Sequence, residues 1–354
     1  MKRTTKYVGL DVHQASTVAV VRDDSGRILW RGAFATQEAT ILEFFRGLRG
    51  TVHVAFEEGT QAQWLYDLLS PRVHRVVVCD RRGEKKMGNK GDDPDAERIS
   101  NDLRCGALRA VYHDSAHRVA LKELARTYLN LVEDTTRSMQ RLKALYRARA
   151  IPARGMAIYQ REHRAEWLAK LPDAAVRFRA QVLLDQLDVL RGLRPRAKSA
   201  MVAEARKDPA WKVLLSIPFL GPIRVSLILA TMRTPWRFPT KRNLWAYSGF
   251  AVVTHSSADY DIENGRAVRR RRRPMTRGLN QNHNRILKNV FKGAATAAAN
   301  KPGPLQDLYQ RMIDRGTAEE LARVTLARKM AAVTLRLWKK GELYDPNQLT
   351  VQAQ

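Results

Sequence analysis

Acidic residues at three places in the first hundred residues of the chain are candidates for a shared metal site. Asp11 lies inside the apolar run YVGLDVH, and Glu57 lies near the end of the run VHVAFEE. Asp92 and Asp95 lie three residues apart at what is predicted to be a helix start, so both can project to one side of it. Four such carboxylates would repel one another without cations, whereas oxygen ligands of this kind suit Mg²⁺ bound together with phosphate. The residue types therefore predict a Mg²⁺ site, of one or two ions, for an in-line displacement at a phosphodiester.

Two assignments in this acidic set stay open. Strand alternation puts Glu57 and Glu58 on opposite faces, and the sequence does not fix which of them faces the other carboxylates. Asp93 before Pro94 fits the N-cap of a helix with proline in its first turn, so we predict a structural role for Asp93. Asp102 lies further along the same predicted helix and is an additional candidate ligand.

The order of the N-terminal elements predicts how these residues meet. Three β-rich runs separated by short polar turns come first. The amphipathic segment EATILEFFRGL, the strand VHVAFEE, the helix AQWLYDLLS, the buried strand HRVVVCD and the helix that begins near Asp93 follow. The order βββαβαβα is that of a ribonuclease H-like (RuvC-like) α/β fold. In such a sheet the strand that carries Glu57 adjoins the first strand, which carries Asp11.

The middle of the chain is predicted to be helical. From Ser115 to Arg147 there is no Gly or Pro, and apolar residues recur at alternating spacings of three and four, which predicts a long helix with a coiled-coil seam. A second stretch repeats this spacing through Val176, Leu183, Leu187 and Leu190. We expect a helical hairpin, and it either completes itself across a dimer or serves as an intramolecular spacer.

The last part of the chain has a different signature. In WKVLLSIPFLGPIRVSLILATM a Pro-Phe-Leu-Gly-Pro turn separates two apolar helices and resembles a helix-hairpin-helix, although Phe219 occupies the position of its first glycine. The turn amides of such a hairpin can hold a phosphate. We therefore predict three domains: residues 1–113 form the catalytic α/β domain, residues 114–205 form a helical coiled-coil or dimerisation region, and residues 206–354 form a mostly α-helical domain.

The charge of the chain points to a polyanionic partner. Lys and Arg number 63 against 35 Asp and Glu, which gives a net charge of +28 and a pI near 10.7. No run of 18 apolar residues is present, so we expect no membrane partner. The two cysteines, Cys79 and Cys105, show no metal-ligand spacing, and we expect a reducing cytoplasmic location.

Basic and amide residues of the C-terminal region are the candidate contacts to nucleic acid. A run of five arginines would either track a phosphate backbone or form a solvated loop. The segment RGLNQNHNRILKNVF follows it and can donate hydrogen bonds to phosphate, sugar or bases. The predicted contact residues are Arg269, Arg270, Arg271, Arg272, Arg273, Arg277, Asn282 and Lys288.

The order of several motifs resembles one known family, the insertion-sequence transposases of the one-ten type, also called DEDD transposases and bridge-RNA-guided recombinases. YVGLDVH resembles their first motif, FEEGT their Glu motif and NKGDDPDA their third motif, with Gly91 in place of the usual Thr. LLSIPFLGP and YSGFAVVTHSSA resemble their C-terminal block, with Val252 where Pro is common and Ala258 where Gly is common. The resemblance spans nearly the whole chain.

This resemblance implies a catalytic serine in the C-terminal domain, in addition to the four acidic residues. The family's serine falls on Ser257, with Ser256 directly before it, and we favour Ser257. A serine hydroxyl is a poor nucleophile at its ordinary pKa and needs a base or a metal to help remove its proton. We therefore expect a composite site in which Ser257 joins the carboxylates and attacks DNA to form a phosphoserine link. Without the resemblance, the segment HSSADY is typical of a polar turn.

The resemblance also implies a noncoding bridge RNA that pairs with donor and target DNA, so that pairing selects the sequence. The resulting prediction is a Mg²⁺-dependent, RNA-guided DNA recombinase that acts as a homo-dimer or homo-tetramer. The alternative enzyme is a ribonuclease H-like nuclease or Holliday-junction resolvase in which water is the nucleophile. A basic nucleic-acid-binding protein with purely structural carboxylates is the alternative outside the enzymes.

Overall fold

The structure, a computed structural model, describes six stretches of the chain. They are residues 4–80, 92–113, 119–255, 260–263, 266–269 and 275–346. The chain divides into two compact units, Met1–His117 and Arg118–Gln354. Within the described stretches, no helix combines the length and the apolar character that crossing a membrane requires.

The first unit is built on a six-stranded mixed sheet. Its strands are β1 (Thr5–Val12), β2 (Ser16–Arg22), β3 (Ile28–Ala35), β4 (Thr51–Glu57), β5 (Arg75–Cys79) and β6 (Ala110–Val111). Its helices are α1 (Glu38–Arg46), α2 (Ala62–Leu69) and α3 (Asp92–Cys105). The spatial order is β3-β2-β1-β4-β5-β6, in which β1, β4 and β5 run parallel and β2, β3 and β6 run antiparallel to their neighbours. The predicted ribonuclease H-like order of elements is confirmed.

The two faces of this sheet have different cores. Leu10 and Phe56 pack on one face in a core shared with α1 and α2. Ala55 packs on the opposite face against Ile99 and Leu103 of α3. Because side chains alternate along a strand, each residue of β1 and β4 can be assigned to the α1/α2 face or to the α3 face.

Gly9 allows α3 to lie directly on β1. A Cβ atom at this position would lie 2.2 Å from the carbonyl oxygen of Ala96 and 2.4 Å from the amide nitrogen of Ser100. Real Cβ atoms do not approach backbone atoms this closely, so a larger residue would push the helix away from the sheet. The absence of a side chain in β1 therefore sets the height of α3 above the strand.

The direction of α3 decides which end of the sheet its first turn covers. Ser100 Oγ accepts a hydrogen bond from Arg22 Nε at 3.0 Å, and Arg22 is paired with Tyr7 across β1 and β2. From its contact with Gly9, the helix therefore runs toward the first residues of β1. The first turn of α3 lies in the other direction, toward Asp11.

The start of α3 corrects one prediction. The helix begins at Asp92, so Asp93 lies inside its first turn and the predicted N-cap at Asp93 is wrong. Proline is tolerated throughout a first turn because the amides there have no partner within the helix. Pro94 therefore did not fix the starting residue.

The second unit is mostly α-helical. Its helices are α4 (Val119–Arg147), α5 (Arg164–Ala169), α6 (Ala174–Ala205), α7 (Trp211–Leu215), α8 (Pro222–Met232), α9 (Lys241–Tyr247), α10 (Arg285–Ala299), α11 (Pro304–Asp314) and α12 (Glu319–Lys340), with short 3₁₀ turns at Ala157–Tyr159 and Pro235–Arg237. Four short strands form two small antiparallel sheets, β7–β10 and β8–β9. These strands are β7 (Val252–His255), β8 (Tyr260–Glu263), β9 (Arg266–Arg269) and β10 (Met275–Leu279).

The long helices α4 and α6 form an antiparallel pair within one chain. Leu121, near the start of α4, shares a core with Met201 near the end of α6. Leu142, near the end of α4, shares another core with Leu184 in the first half of α6. The predicted helical hairpin and its apolar seam are confirmed.

The turn between α7 and α8 has the backbone that the hairpin motif requires. Phe219 adopts φ +65°, a left-handed conformation that is uncommon for a bulky residue and is ordinarily taken by glycine. Its carbonyl oxygen accepts a hydrogen bond from Arg224 Nη1 at 2.7 Å. The departure from the motif at Phe219 therefore changes the side chain and keeps the glycine-like backbone.

Candidate active site

Asp11 and Glu57 lie side by side on the face of the sheet that α3 covers. Leu10 is paired with Phe56 across the parallel strands β1 and β4, so Asp11 and Glu57 follow in register. Leu10 and Phe56 face the opposite core, which puts the two carboxylates on the α3 face. Neighbouring strands lie about 4.8 Å apart. The Asp11 side chain is 19% exposed, and Glu57, the last residue of β4, is exposed.

Asp95 approaches this pair from α3. It lies in the first turn of the helix, at the end of the sheet where Asp11 lies, and its side chain is 23% exposed and 3.9 Å from Arg98 Nη1. Asp92 begins the helix, but the position of its side chain lies outside the described part of the structure. Asp102 lies about two helical turns beyond Asp95, away from Asp11, so α3 does not bring it to the pair.

Glu58 has surroundings different from those of Glu57. It follows the end of β4, and its Oε2 lies 3.3 Å from Nε2 of His113, whose side chain is almost fully buried. The His113 ring packs on Tyr66 of α2, with 5.4 Å between the ring centroids. The carboxylate of Glu58 is thus directed to the α2 side of the sheet, and Glu57 is the member of the pair that shares a face with Asp11.

Sequence reasoning did not identify His13 as part of this region. Its Nε2 lies 3.3 Å from Oδ2 of Asp11, and its ring is about half exposed. The signal was present in the spacing, because residues two apart along an extended segment project to the same side. His13 can therefore orient the Asp11 carboxylate through an ion pair or a hydrogen bond.

A second set of ion pairs holds α3 on the sheet. Glu97 accepts a hydrogen bond from Arg22 Nη2 at 2.7 Å and another from Arg31 Nη2. Arg22 lies at the end of β2 and Arg31 lies in β3, so Glu97 connects the helix to two strands. Because Glu97 lies two residues after Asp95, this network also fixes the turn that carries Asp95.

The donors suit a hard divalent cation in their chemistry. Asp11, Glu57 and Asp95 offer carboxylate oxygens, the ligands that Mg²⁺ prefers. Among the side chains that the structure describes, no three converge closely enough to form a metal-binding group by themselves. The described residues therefore provide donors of the right kind at one end of the sheet, and the Asp92 side chain is the predicted ligand that lies outside them.

The candidate serine lies next in sequence to a described strand. Ser256 and Ser257 are outside the described residues, as are Arg270, Arg271, Arg272 and Arg273. His255, the last residue of β7, is paired with Met275, the first residue of β10. The chain therefore enters the serine segment and leaves the arginine run at the same end of this small sheet.

In the asparagine-rich segment before α10, some side chains make hydrogen bonds within the protein and others are exposed to solvent. Asn280 Nδ2 donates to the carbonyl oxygens of Ala246 and Asn282 at 3.0 and 2.8 Å, and Asn284 caps α10 by accepting from Leu287 N. These asparagines therefore hold the fold locally. Of the predicted contact residues, Asn282 lies in this segment with an exposed side chain, and Lys288 is half-buried in α10. Arg269 and Arg277 lie in β9 and β10.

Gly249 joins two of the sequence motifs. It adopts φ +73°, and a Cβ atom there would lie 2.5 Å from Cγ of His283. The His283 ring nitrogen Nδ1 lies 2.7 Å from the carbonyl oxygen of Asn280. The YSGF and NQNHN segments thus pack against each other, and only glycine fits at the contact.

Two family models match separate parts of the chain, and the first match extends beyond the first unit to the end of α4. Residues 8–148 match a family model described as "Transposase", named for the DEDD transposases of IS110, and residues 211–310 match the model of the "Transposase IS116/IS110/IS902 family". The chain is also similar to a probable family 20 transposase of Pseudomonas aeruginosa. The two are 25% identical over 318 residues, which cover 88% of this chain and 90% of the relative.

Proposed function

Because the chain belongs to the IS110 family of insertion-sequence transposases, which cut and rejoin DNA strands, we propose that it does so through a covalent phosphoserine intermediate under the direction of a guide RNA. The observation that carries the chemical part of this proposal is the side-by-side placement of Asp11 and Glu57 below the first turn of α3. Carboxylates at one end of a sheet of this topology are suited to phosphodiester chemistry.

The proposed chemical step uses Ser257 as the nucleophile. Its Oγ bonds to the phosphorus of a DNA phosphodiester while the bond from phosphorus to one bridging sugar oxygen breaks. The serine proton passes to a carboxylate of the Asp11, Glu57 and Asp95 set, and the carboxylic acid so formed gives this proton to the departing sugar oxygen, which leaves as a hydroxyl. Rejoining is the reverse attack by a hydroxyl of another strand, so no external energy source is needed. The proposal requires the Ser257 segment to reach these carboxylates when nucleic acid is bound.

Asp11, Glu57, Asp92 and Asp95 are the residues that would hold Mg²⁺. The bound ion would supply charge stabilisation for the attacking and leaving oxygens. The protein's own contribution is to hold Asp11 against His13 and to fix the Asp95 turn through Glu97. These contacts limit the positions that the carboxylates can take before substrate binds.

The proposed partners are donor DNA, target DNA and a noncoding guide RNA. A net charge of +28 favours all three, because each is a polyanion. The arginine run that ends before β10 is proposed to hold a phosphate backbone beside the serine segment, which leaves the same end of the β7–β10 sheet. We place this activity in the bacterial cytoplasm, at the nucleoid.

Trapping of the covalent intermediate tests the serine. Purified protein with its co-purifying RNA and element-end DNA is mixed with Mg²⁺ and then denatured in detergent. We expect a protein–DNA adduct with wild-type protein and with Ser256→Ala, and none with Ser257→Ala, because only the Ser257 hydroxyl bonds to phosphorus. The adduct is measured as labelled DNA that migrates with the protein.

Chelation of Mg²⁺ and the variant Asp11→Asn serve as controls. Each should abolish the adduct and leave DNA binding, measured by fluorescence anisotropy, within about twofold, because most affinity comes from backbone phosphates. Cleavage without an adduct in Ser257→Ala would replace this proposal with the water-dependent nuclease.

A further inference from the structure

A basic groove lies between α9 and α12 in the second unit. It has a volume of about 940 Å³ and opens to solvent. None of the lining residues that the structure describes is acidic. Its cationic lining residues are Lys241, Arg328, Lys329, Arg336 and Lys339.

The cations of the groove crowd one another. Burial lowers the pKa of Lys329, and the nearby positive charges of Lys241 and Arg336 lower it further. Burial also lowers the pKa of Arg328. Partly buried like charges that lower one another's pKa destabilise the free protein, so their presence in one groove indicates an anion that neutralises them when it binds.

Two of these cations are held in place by the backbone. Lys339 Nζ donates to the carbonyl oxygens of Phe238 and Pro239 at 2.7 and 3.1 Å. Arg328 Nε donates to the carbonyl oxygen of Phe250 at 2.7 Å, two residues before β7 begins. The groove is therefore attached to the segment that leads in sequence to the candidate serine.

Aromatic rings accompany the charges. Trp236 is 69% exposed, and Lys339 Nζ lies 5.4 Å from its ring centroid. Trp245 lines the groove, its Nε1 donates to the carbonyl oxygen of Arg328 at 2.9 Å, and Lys241 Nζ lies 5.7 Å from its ring. A basic groove beside an exposed aromatic side chain is the combination that binds single-stranded nucleic acid, because unpaired bases stack on the ring while cations hold the backbone.

We propose that the groove between α9 and α12 binds a single-stranded segment of nucleic acid, with its phosphates on Lys241 and Lys329 and one base stacked on Trp236. The inference rests on the nucleic-acid binding that the proposed function requires, and it is independent of Ser257 and of Mg²⁺. A duplex fits the groove less well, since the faces of its paired bases are covered by neighbouring bases and cannot stack on Trp236.

Binding of short oligonucleotides to the full-length protein tests the groove. Fluorescence anisotropy is measured with single-stranded DNA, single-stranded RNA and duplex DNA over a range of salt concentrations. For Lys241→Gln combined with Lys329→Gln, we expect about tenfold weaker single-strand binding near physiological salt and a salt dependence shallower by about 1.4 in logarithmic slope. The matched control combines Lys198→Gln with Lys212→Gln, two exposed lysines on α6 and α7, and should keep wild-type affinity.

Trp236→Ala separates stacking from charge. We expect about tenfold weaker binding to single strands and little change for duplex DNA, with an unchanged salt slope, because the substitution removes a base contact and no cation. The melting temperature of the Lys241 and Lys329 double variant should equal or exceed that of wild type, since repulsion is relieved. The DNA and RNA arms identify which single strand the groove prefers.

Three results would overturn the inference. The groove variants could bind single strands as the matched control does, Trp236→Ala could weaken duplex and single strands equally, or the groove variants could lose only binding to anionic lipid vesicles. The Ser257 trapping assay is a separate measurement, so a failure of the groove inference is distinguishable from a failure of the serine mechanism.

Discussion

Glu57 and Glu58 are chemically identical neighbours whose surroundings separate their roles. Glu57 shares a sheet face with Asp11, whereas Glu58 lies against the buried His113. Because both residues are glutamate, the difference in their surroundings comes only from strand alternation and from the position of α2. The two residues therefore offer a matched pair in which the same substitution is made one position apart.

We expect Glu57→Gln to reduce strand exchange at least about 100-fold, because it removes one negative charge from the site where transition-state charge is stabilised. Glu58→Gln should keep strand exchange within about threefold and lower the melting temperature slightly, because the substitution keeps a side chain of the same shape beside His113 but removes its charge. Rates of strand exchange and thermal melts of both variants check this. Equal loss in the two variants would contradict the assignment of Glu57.

At the scale of elements, the position of α3 decides whether the acidic residues form a site. The helix is set against β1 by Gly9 and held on the sheet through Glu97, so its first turn cannot move independently of the strands. The carboxylates come from two strands and a helix that are far apart in the chain. Small shifts of one element therefore displace Asp95 relative to Asp11.

Gly9→Ala should disrupt this packing. The new Cβ meets backbone atoms of Ala96 and Ser100, which cannot rotate away, so we expect a loss of about 3 kcal/mol of unfolding free energy and a large loss of strand exchange. Gly192→Ala, in α6 with open space around the new Cβ, is the control and should stabilise the protein by up to about 1 kcal/mol. Denaturant melts measure both changes. An unchanged stability of Gly9→Ala would show that α3 does not lie on β1 at this distance.

At the scale of the whole molecule, the net charge and the exposed apolar surface indicate which kinds of partner the protein binds. The charge of +28 favours polyanions. Helix α6 exposes apolar side chains at spacings of four and seven on the side away from α4. They are Phe178, Val182, Val189 and Leu193. Such a stripe on a long helix is typical of a helix-to-helix interface, and the homo-oligomer predicted from the sequence would place a second copy of the chain against it.

Replacement of Phe178 and Val189 with Glu tests this interface. Phe178 is 71% and Val189 61% exposed in the single chain, so the double variant should fold normally and become a monomer of about 40.3 kDa. The control variant combines Arg179→Gln with Lys198→Gln. It lowers the net charge of α6 by the same amount at residues outside the apolar stripe, and it should remain an oligomer. Light scattering coupled to size exclusion measures the mass. A wild-type protein that is already monomeric would contradict the interface.

Much of the fold could be derived from local patterns. Alternation of apolar residues and short polar turns predicted the three N-terminal strands, and the spacing of apolar residues between Ser115 and Arg147 predicted the seam of the long helix pair. These features depend on neighbours within a few residues, where the periods of strand and helix leave a direct trace. The resemblance in motif order supplied the family for the same reason, because each motif is a short local segment.

The sequence by itself determined the types of residue at the candidate site, the order of the elements and the excess of positive charge. Only the tertiary structure decided that Glu57 rather than Glu58 shares a face with Asp11, that Asp102 lies away from it, and that His13 contacts it. It also brought cations from α9 and α12 into one groove, although these two helices are far apart in the sequence. The physical reason is that strand register and the position and direction of a helix on a sheet are set by packing between segments distant in sequence. A local sequence pattern does not show which distant segments pack together.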